Sequence, residues 1–377
     1  MRLLTRDNLF RVARYTVPAL ARSVILLPKN ANLRHEVAVI IPCYNAAPYL
    51  ARALDSVFAQ TYRDYCVYVI DDGSSDDTAA ILRSYAGHVI SLQQKHSGQA
   101  AARNHGIRLS DSPYIAFLDA DDEWLPEKLE RQLKMLHKAP RAGMLYSDCF
   151  NQGDGRFARS YFAQIGTPTG GRVFEQFLRI CGVYTPTVIV RRECLLDVGL
   201  FDETFPVGED YNLWLRIAAR WEVAVIPEVL AIRHVTPGSL SRTTSREQVA
   251  SNVVTVFEKL LEACPNLTPH EQRALQLAIG LRYYSYGSYL LAQGESRRAR
   301  PQFFKSWRYG VHDWRTIAKL GMSFLPHHAS VVLQNVYKNL KSSRDQGMPM
   351  SNHDPVDQKI EPALAEGPQR QRPAQNF

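Results

Sequence analysis

Three aspartates directly behind an apolar run are the residues of this sequence best suited to chemistry. Residues 114–118, Tyr-Ile-Ala-Phe-Leu, lead into Asp119, Asp121 and Asp122. The run predicts a buried strand, and ligands of α/β sheets bind beyond the carboxyl ends of strands. Crowded carboxylates repel one another, and a hard divalent cation such as Mg²⁺ or Mn²⁺ relieves that repulsion while keeping positions for phosphate oxygens. The motif therefore indicates a metal-assisted site.

A second interpretation of the same residues needs no metal. Residues 119–122 would form a solvated turn, and Asp122 would cap a helix that begins near Pro126. The motif alone leaves both interpretations open. The choice depends on which side chains the other elements bring to the same place.

Three further strand-loop-helix units precede the aspartates. Runs rich in β-branched and aromatic residues predict strands at 37–41, 65–70 and 88–92, each followed by polar residues and a helical pattern. Ser74 or Ser75 is placed to cap the second of these helices. With the opening run, four such units in about 100 residues predict a parallel sheet with right-handed crossovers.

Polar residues after each predicted strand would meet in such a sheet. Tyr44 and Asn45 follow the first strand, Asp72 follows the second, and Arg103 lies beyond the third. Because parallel strands present their carboxyl ends at one edge, these side chains and the aspartates should line one crevice. The sequence thus predicts that these residues form one site. The alternative is four unrelated polar loops.

The chain after the aspartates continues the α/β pattern and then becomes helical. The predicted elements are a helix ending near Lys138, strands at 144–148, 185–190 and 223–226, an irregular glycine-rich stretch at 151–171, and a short helix at 193–198. Glu209 and Asp210 open an amphipathic helix, where the helix dipole alone would favour acids, and Trp214 one turn later is expected in the core. Four tyrosines in the later helices predict helix packing, with a cofactor site as the alternative: Tyr283, Tyr284, Tyr286 and Tyr289.

The net charge of +8 is concentrated near the two ends of the chain. Residues 1–30 carry six Lys/Arg and one acid, and residues 296–344 carry ten and one, so the remainder sums to −6. Basic segments with interleaved apolar residues suit an anionic membrane surface or a partner surface, or they pack as extra helices. The basicity therefore lies away from the predicted carboxylate site.

Length and composition predict one large domain with smaller flanks. The predicted parts are a basic segment at 1–35, a core domain at 36–245, a basic helical region at 246–344, and a polar, disordered tail at 345–377. The six cysteines are scattered without a C-x-x-C pair, which is typical of buried thiols in a reducing compartment. We expect no membrane-spanning helix and no signal peptide, and hence a cytoplasmic protein.

Five motifs in register resemble the family 2 inverting glycosyltransferases with a GT-A fold. The motifs occupy residues 42–45, 69–76, 98–104, 117–122 and 208–210. Their order and spacing match from about residue 36 to 242, just over half of the chain. The resemblance implies an α/β fold of the GT-A type, Rossmann-like, with a mostly parallel central sheet and flanking helices, followed by a C-terminal helical region.

The resemblance also implies a donor, a metal and residues for each. The donor would be a nucleotide-diphosphate sugar, with uridine as the base by family analogy, and the cofactor Mn²⁺ or Mg²⁺. Asp119 and Asp121 match the D-x-D element, with Asp121 preferred as direct ligand. Asp72 would contact the base, and Arg103 would lie near the diphosphate. The positions matched to donor binding are Pro42, Tyr44, Asn45, Asp72, Gly98, Arg103 and Asp119.

The acceptor half of the reaction needs a base, and the resemblance assigns it to the Glu-Asp element. A hydroxyl is a poor nucleophile near neutral pH, so a carboxylate must take its proton as it attacks the anomeric carbon. Asp210 is the preferred base, and Glu209 is the fallback. One displacement would invert that carbon.

One position departs from the family pattern. Many relatives carry a histidine just before the Pro-Gly-Ser-Leu-Ser element, where this chain has Thr236. His234, two residues earlier, is either a shifted metal or diphosphate ligand or a loop histidine. Ser239, Ser241 and Arg242 belong to a loop that would order over the donor.

The leading hypothesis is a metal-dependent inverting glycosyltransferase on the inner face of the cell membrane, acting on a surface glycan or a lipid-linked acceptor. Two alternatives are a nucleotidyl or phosphoryl transferase that uses the same acidic site, and a non-catalytic sugar-nucleotide binder. Neither needs a lone base about 90 residues beyond the metal site. The sequence shows no motif for nucleic-acid binding.

Overall fold

The computed structural model describes residues 35–152, 160–236, 239 and 243–325. The chain divides into two compact units. The first comprises Met1–Phe177, Cys181–Thr243 and Glu258–Thr268, and the second Leu178–Ile180, Thr244–Phe257 and Pro269–Phe377. The predicted N-terminal segment, the predicted tail and residues 326–344 of the basic region fall almost wholly outside the described residues. The four-part division of the chain stays a prediction.

One eight-stranded sheet forms the centre of the first unit. Its strands are β1 (Val37–Cys43), β2 (Tyr65–Asp71), β3 (Ile90–Gln93), β4 (Tyr114–Phe117), β5 (Glu123–Trp124), β6 (Ala142–Gln152), β7 (Val188–Arg191) and β8 (Glu222–His234). They lie in the order β3-β2-β1-β4-β7-β6-β8-β5. All seven residues of β1 are buried, as both faces of a central strand must be when helices cover them.

The sheet is mixed. Strands β3, β2, β1 and β4 run parallel, as the four repeated units predicted, and β6 and β8 also pair in parallel. Strand β7 is antiparallel to both β4 and β6, and β5 is antiparallel to β8. The predicted α/β class is therefore confirmed, and the antiparallel strands are confined to the half that follows β4.

Twelve α-helices occur in the described residues. They are α1 (Leu50–Phe58), α2 (Thr78–Ser84), α3 (Gln99–Leu109), α4 (Lys128–Lys138), α5 (Tyr161–Ile165), α6 (Phe174–Arg179), α7 (Arg192–Val198), α8 (Glu209–Arg220), α9 (Arg246–Ala263), α10 (Pro269–Ala292), α11 (Ser296–Arg308) and α12 (Trp314–Met322). Helix α1 shows why such segments become helical, because its apolar residues at three- and four-residue spacing are its buried ones: Leu50, Ala53, Leu54 and Val57.

Several predicted elements differ from the structure. Residues Thr185–Thr187 form a short 3₁₀ turn, and the strand begins only at Val188, because Pro186 fixes its φ and has no N–H to give to a ladder. Strands β6 and β8 are longer than predicted, since they pair along each other through register shifts. Helix α5 lies inside the stretch predicted to be irregular, of which residues 153–159 are not described.

Several interior predictions are confirmed. Trp214 is fully buried against Phe117 and Phe201. All six cysteines are free thiols. In the second unit Tyr283 stacks on Tyr309, and Tyr284 meets Phe303 edge-on, so these tyrosines pack helices together. Among the described residues, no helix is both long enough and apolar enough to cross a bilayer.

Helix α3 lies unusually close to the sheet because of one glycine. A Cβ at Gly106 would stand 2.7 Å from Ile40 Cγ2 and 3.1 Å from Ile40 Cδ1, where Ile40 belongs to β1. No real Cβ tolerates the shorter distance. The close approach sets the position of α3, which carries Arg103 one turn earlier.

We expect Gly106→Ala to lower the free energy of unfolding by about 1–3 kcal/mol, because overpacking forces the helix away from the sheet. Gly321→Ala in α12 is the matched control, since nothing lies within 4 Å of its added Cβ and alanine is the better helix former. Urea unfolding followed by tryptophan fluorescence measures both. Equal midpoint shifts in the two variants would contradict this account of α3.

Candidate active site

The loops after β1 and β2 are tied together by Asn45. Its backbone N–H donates to Ser74 Oγ at 2.8 Å, and its Oδ1 accepts from Ser75 N at 2.8 Å. Among the described residues it alone combines a side chain with a positive φ, +48°, a conformation that asparagine tolerates. Ser74 thus serves Asn45, and the predicted serine cap of α2 is wrong: that helix follows Asp77 without a side-chain cap.

Asp72 is buried and holds the loop between β3 and α3. Its carboxylate accepts from Gln94 Nε2 at 2.7 Å, from Ser97 N and Gly98 N at 2.8 Å, and lies 2.9 Å from His96 Nδ1. A carboxylate offers about four acceptor sites, so these partners occupy them all. A contact between Asp72 and a nucleobase stays a prediction, and it would require this loop to exchange one of its bonds.

A stacked pair of rings stands beside Asp72. The ring of Tyr44, which follows Pro42 and Cys43 at the end of β1, lies 4.1 Å from the ring of His96 at an angle of 27°. Tyr44 is 49% exposed, so a flat aromatic surface faces solvent here. His96 was not among the residues expected from the sequence, although it lies two positions before Gly98, which the resemblance matches to donor binding.

Arg103 joins the loop after β4 to the start of α8. One of its terminal nitrogens lies 2.6 Å from Asp119 Oδ1 and the other 2.7 Å from Glu209 Oε1. The guanidinium also lies over the ring of Phe201, and the side chain is only 2% exposed. The structure therefore gives Arg103 two carboxylate partners inside the protein, and the predicted diphosphate contact stays a prediction.

Glu209 and Asp210 are neighbours in sequence with different environments. Gly208, at φ +89°, turns the chain into α8, so that both acids occupy the first helical turn. Glu209 is buried, and this burial, with the nearby charge of Asp210, raises its pKa to about 7 against the pull of Arg103. Asp210 is half-buried, with Oδ1 accepting from Tyr211 N at 2.7 Å and Oδ2 from Thr185 Oγ1 at 3.2 Å. Of the pair, Asp210 is the accessible one.

The three aspartates of the opening motif form a tight turn, with Asp122 N donating to Asp119 O at 3.0 Å. Asp122 is buried, and its carboxylate accepts from His234 N at 2.7 Å. It does not cap a helix, because α4 begins at Lys128. Burial, and then the charge of Asp119, raises the pKa values of Asp121 and Asp122.

Burial and the neighbouring carboxylates disfavour the ionised forms of Asp121 and Asp122, and a divalent cation would offset both effects. The described residues contain no group of three or more His, Cys, Asp or Glu side chains able to enclose a metal ion. Mg²⁺ is commonly held by one or two carboxylates together with substrate phosphates. Asp119, which is 30% exposed, and Asp121 fit a cation of that kind, one completed by the substrate.

His234 points to a partner other than the D-x-D carboxylates. Its Nε2 lies 2.6 Å from Glu123 Oε1, and Arg52 Nε approaches the same oxygen at 3.1 Å. Thr236 stands beside the motif instead: its hydroxyl lies 3.2 Å from Asp121 Oδ2. Metal binding by His234 stays a prediction that the observed bond does not support.

The loop beyond β8 supports Thr236. Ser239 Oγ accepts from Thr236 N at 2.9 Å and lies 2.8 Å from Thr236 Oγ1. Ser241 and Arg242, which were predicted to belong to the same loop, lie outside the described residues. The sequence offered one signal for Thr236, its place where relatives have histidine. Nothing in it singled out Thr185, because that bond depends on how β7 meets α8.

Comparisons with known proteins identify the family and the fold. The family model described as glycosyl transferase family 2 matches residues 38–198. The chain is 31% identical over 183 residues to the Escherichia coli UDP-Glc:alpha-D-GlcNAc-diphosphoundecaprenol beta-1,3-glucosyltransferase WfgD, a match covering 48% of this chain and 69% of that protein. Two uncharacterized glycosyltransferases, from Rickettsia felis and Rickettsia typhi, are 32% and 29% identical to this chain, which spans only 34% and 62% of their lengths.

Solved structures show the same fold. S. aureus TarS in complex with UDP-GlcNAc is 18% identical with a TM-score of 0.58, covering 84% of this chain and 93% of that one. The mannosyltransferase PcManGT from Pyrobaculum calidifontis, in complex with GDP-Man and Mn²⁺, is 20% identical with a TM-score of 0.52, covering 81% and 88%. The first unit is thus a glycosyltransferase fold of the GT-A type. The chain belongs to the family 2 glycosyltransferases.

We expect the raised pKa of Glu209 to make the protein less stable as pH rises. Its ordinary pKa is 4.5 and its folded-state pKa about 7, so the folded protein binds the proton more tightly than the unfolded chain. The free energy of unfolding should then fall between about pH 4.5 and 7, by at most about 3 kcal/mol. Glu209→Gln should remove that share of the slope in urea titrations with a chelator present.

Asp121 and Asp122 contribute a slope of the same sign, and they remain in the variant. Glu193→Gln is the matched control, an exposed acid in the first turn of α7, and it should keep the slope of the wild-type protein. Identical pH profiles for Glu209→Gln and wild type would show that Glu209 is ionised in the fold at an ordinary pKa.

Proposed function

We propose that this chain transfers a sugar from a nucleoside-diphosphate sugar to a hydroxyl group with inversion at the anomeric carbon. The observation that carries the proposal is the division of labour at the start of α8. Glu209 is buried against Arg103, while Asp210 is half-buried and held by Thr185. Asp210 is thereby kept accessible. Arg103 holds its helix next to the acidic turn, because it contacts both Glu209 and Asp119.

The donor is proposed to be a UDP-sugar. WfgD is named for UDP-Glc, and the TarS structure contains UDP-GlcNAc. Tyr44 would offer its exposed ring to the base, since aromatic faces stack on flat heterocycles. The Mn²⁺ of PcManGT supports a divalent cation at Asp119 and Asp121. When bound there, the cation would stabilise the negative charge of the departing nucleoside diphosphate.

Asp210 is proposed to act as the general base. It takes the proton of the acceptor hydroxyl as that oxygen forms its bond to the anomeric carbon, while the bond from that carbon to the diphosphate breaks and the diphosphate leaves with the electron pair. Attack on the face opposite the leaving group inverts the carbon. Thr185 fixes one carboxylate oxygen, which keeps Asp210 aimed at the acceptor.

The acceptor is proposed to be a lipid-linked or surface glycan, in polysaccharide biosynthesis. WfgD is named for a diphosphoundecaprenol-linked sugar, which supports an acceptor of that class. Such an acceptor lies in a membrane, so we also propose peripheral attachment to the inner face of the cell membrane. Replacing Asp210 distinguishes this proposal from the nucleotidyl-transferase and scaffold alternatives, because neither alternative needs a base at that position.

We expect UDP-sugars to raise the melting temperature only when Mn²⁺ and Asp121 are both present. Ligand at about 100 times its Kd stabilises the folded state by about 2.7 kcal/mol. UDP-Glc and UDP-GlcNAc are the first donors to test by thermal shift. Asp121→Ala should abolish the shift, and Asp111→Ala, an exposed acid before the same strand, should retain it. A full shift in Asp121→Ala would refute the assigned cation site.

We expect Asp210→Asn to lower kcat by about 10²- to 10⁴-fold with little change in donor-induced thermal shift, because it removes a general base. Glu193→Gln should leave both measurements unchanged. An active Asp210→Asn variant would favour the alternatives that need no base.

Thr185→Val should lower kcat by about fivefold to tenfold at unchanged donor KM, since one hydrogen bond to the base is lost. Thr187→Val is the control in the same turn, because the Thr187 hydroxyl bonds Tyr184 O and not Asp210. Equal effects from both substitutions would reduce Thr185 to a structural role.

A further inference from the structure

The second unit carries a face on which aromatic and basic residues alternate. On α11 the residues Arg297, Arg300, Phe304, Trp307 and Arg308 recur at three- and four-residue intervals, so they share one side of the helix. We call this side the aromatic-basic face. The buried residues of α11 occupy the other side: Ala299, Phe303 and Ser306.

The apolar members of this face are open to solvent. Phe304 is 54% exposed and Trp307 40% exposed. The face continues onto the end of α12, where the ring of Phe324 lies 3.9 Å from the Arg300 guanidinium and is 58% exposed. Arg300 also donates to Ser323 O at 2.8 Å, which fixes that junction.

Exposed apolar side chains are concentrated in the stretch of sequence that carries this face. Of the twelve large apolar residues exposed in the described part of the chain, six lie within residues 304–325. Single exposed apolar residues are ordinary, whereas a concentration of them marks a binding surface. The hydrophobic core of the unit forms without these exposed residues, since Leu290, Leu291 and Phe303 are buried together.

The charge of the same stretch is strongly positive. Residues 296–325 contain seven Lys/Arg and one acid, Asp313. Some of these cations serve the unit itself, as Lys305 donates to Tyr283 Oη and Lys319 to Ser288 Oγ. Arg297 and Arg308 are exposed, and by helical spacing they share the side of α11 that carries Phe304.

We propose that the aromatic-basic face docks this protein on an anionic lipid bilayer. Tryptophan and phenylalanine side chains bind at the boundary between headgroups and acyl chains, and arginines are attracted to anionic headgroups. A folded acidic protein would match the charge but not the concentration of exposed rings, and nucleic acid would leave the aliphatic Leu325, 37% exposed next to Phe324, without a partner. The bilayer satisfies both features.

The inference names the surface for the membrane attachment proposed above. It rests on that proposed function in one respect, that a lipid-linked acceptor would be met at a membrane. Vesicle binding itself requires no transfer chemistry.

The test is flotation of the full-length chain with vesicles of mixed phosphatidylglycerol and phosphatidylcholine, compared with pure phosphatidylcholine. Binding is expected only with the anionic lipid, and it should weaken as salt rises because headgroup attraction is screened. Phe304→Ser combined with Trp307→Ser should weaken binding at least about tenfold, since each buried aromatic side chain contributes a factor of that order. Arg297→Gln combined with Arg308→Gln should also weaken it.

Leu277→Ser is the matched control, because Leu277 is 46% exposed on α10 of the same unit and lies outside residues 296–325. It should bind vesicles as wild type does. Wild-type binding by the Phe304/Trp307 variant would overturn the proposal and leave the basic residues 1–30 as the contact. Absence of vesicle binding by the wild-type protein would also overturn it. If the Phe304/Trp307 variant then melts at a lower temperature, the chain's own residues cover the face. If that variant changes from dimer to monomer, a second copy of the chain covers it.

Donor-induced thermal shift separates this inference from the proposed chemistry. The Phe304/Trp307 variant should keep the shift with a UDP-sugar and Mn²⁺, which also shows that it is folded. A variant that keeps the donor-induced thermal shift and loses vesicle binding supports the aromatic-basic face as the docking surface. Vesicle binding through this face in a protein that no UDP-sugar stabilises would instead refute the proposed donor chemistry and leave the docking surface standing.

Discussion

The buried guanidinium of Arg103 is the interaction on which the site depends. It bridges Asp119, behind β4, and Glu209, at the start of α8, although those elements are about 90 residues apart in the chain. Removing one partner of such a buried pair costs about 3–5 kcal/mol, because the remaining charge is left without compensation. The acidic turn and the helix that carries Asp210 are therefore held together by Arg103, whose side chain has almost no contact with solvent.

The position of that guanidinium depends in turn on backbone packing. Helix α3 delivers Arg103 because Gly106 lets the helix approach Ile40 on β1, and Asp72 fixes the loop that begins the helix by accepting from Ser97 N and Gly98 N. Residues that resemblance assigns to substrate thus also carry structural bonds. The two roles are compatible, since a binding loop held by exchangeable hydrogen bonds can trade one of them for a ligand.

Burial separates the acids of the site into two groups. Burial raises the pKa values of Asp121, Asp122 and Glu209, with the charge of Asp119 adding to the first two and that of Asp210 to the third, whereas Asp210 stays half-buried beside Thr185. Ionisation of the first group leaves buried negative charge, which Arg103 balances at Glu209 and a divalent cation would balance at Asp121. The accessibility of Asp210 supports its proposed role as a general base toward an acceptor hydroxyl.

The sequence by itself determined the four parallel strands, the acidic turn behind the fourth, and the family, because apolar runs and strand-end motifs are local properties of the chain. It also pointed to Glu209 and Asp210 together, without a reason to separate them. Only the tertiary structure decided that Glu209 faces Arg103 and that His234 bonds Glu123. It also decided that Thr236 contacts Asp121 and that Thr185 contacts Asp210. Those pairings join residues from 25 to 115 positions apart, so they depend on how β7, β8 and α8 pack, which no local pattern encodes.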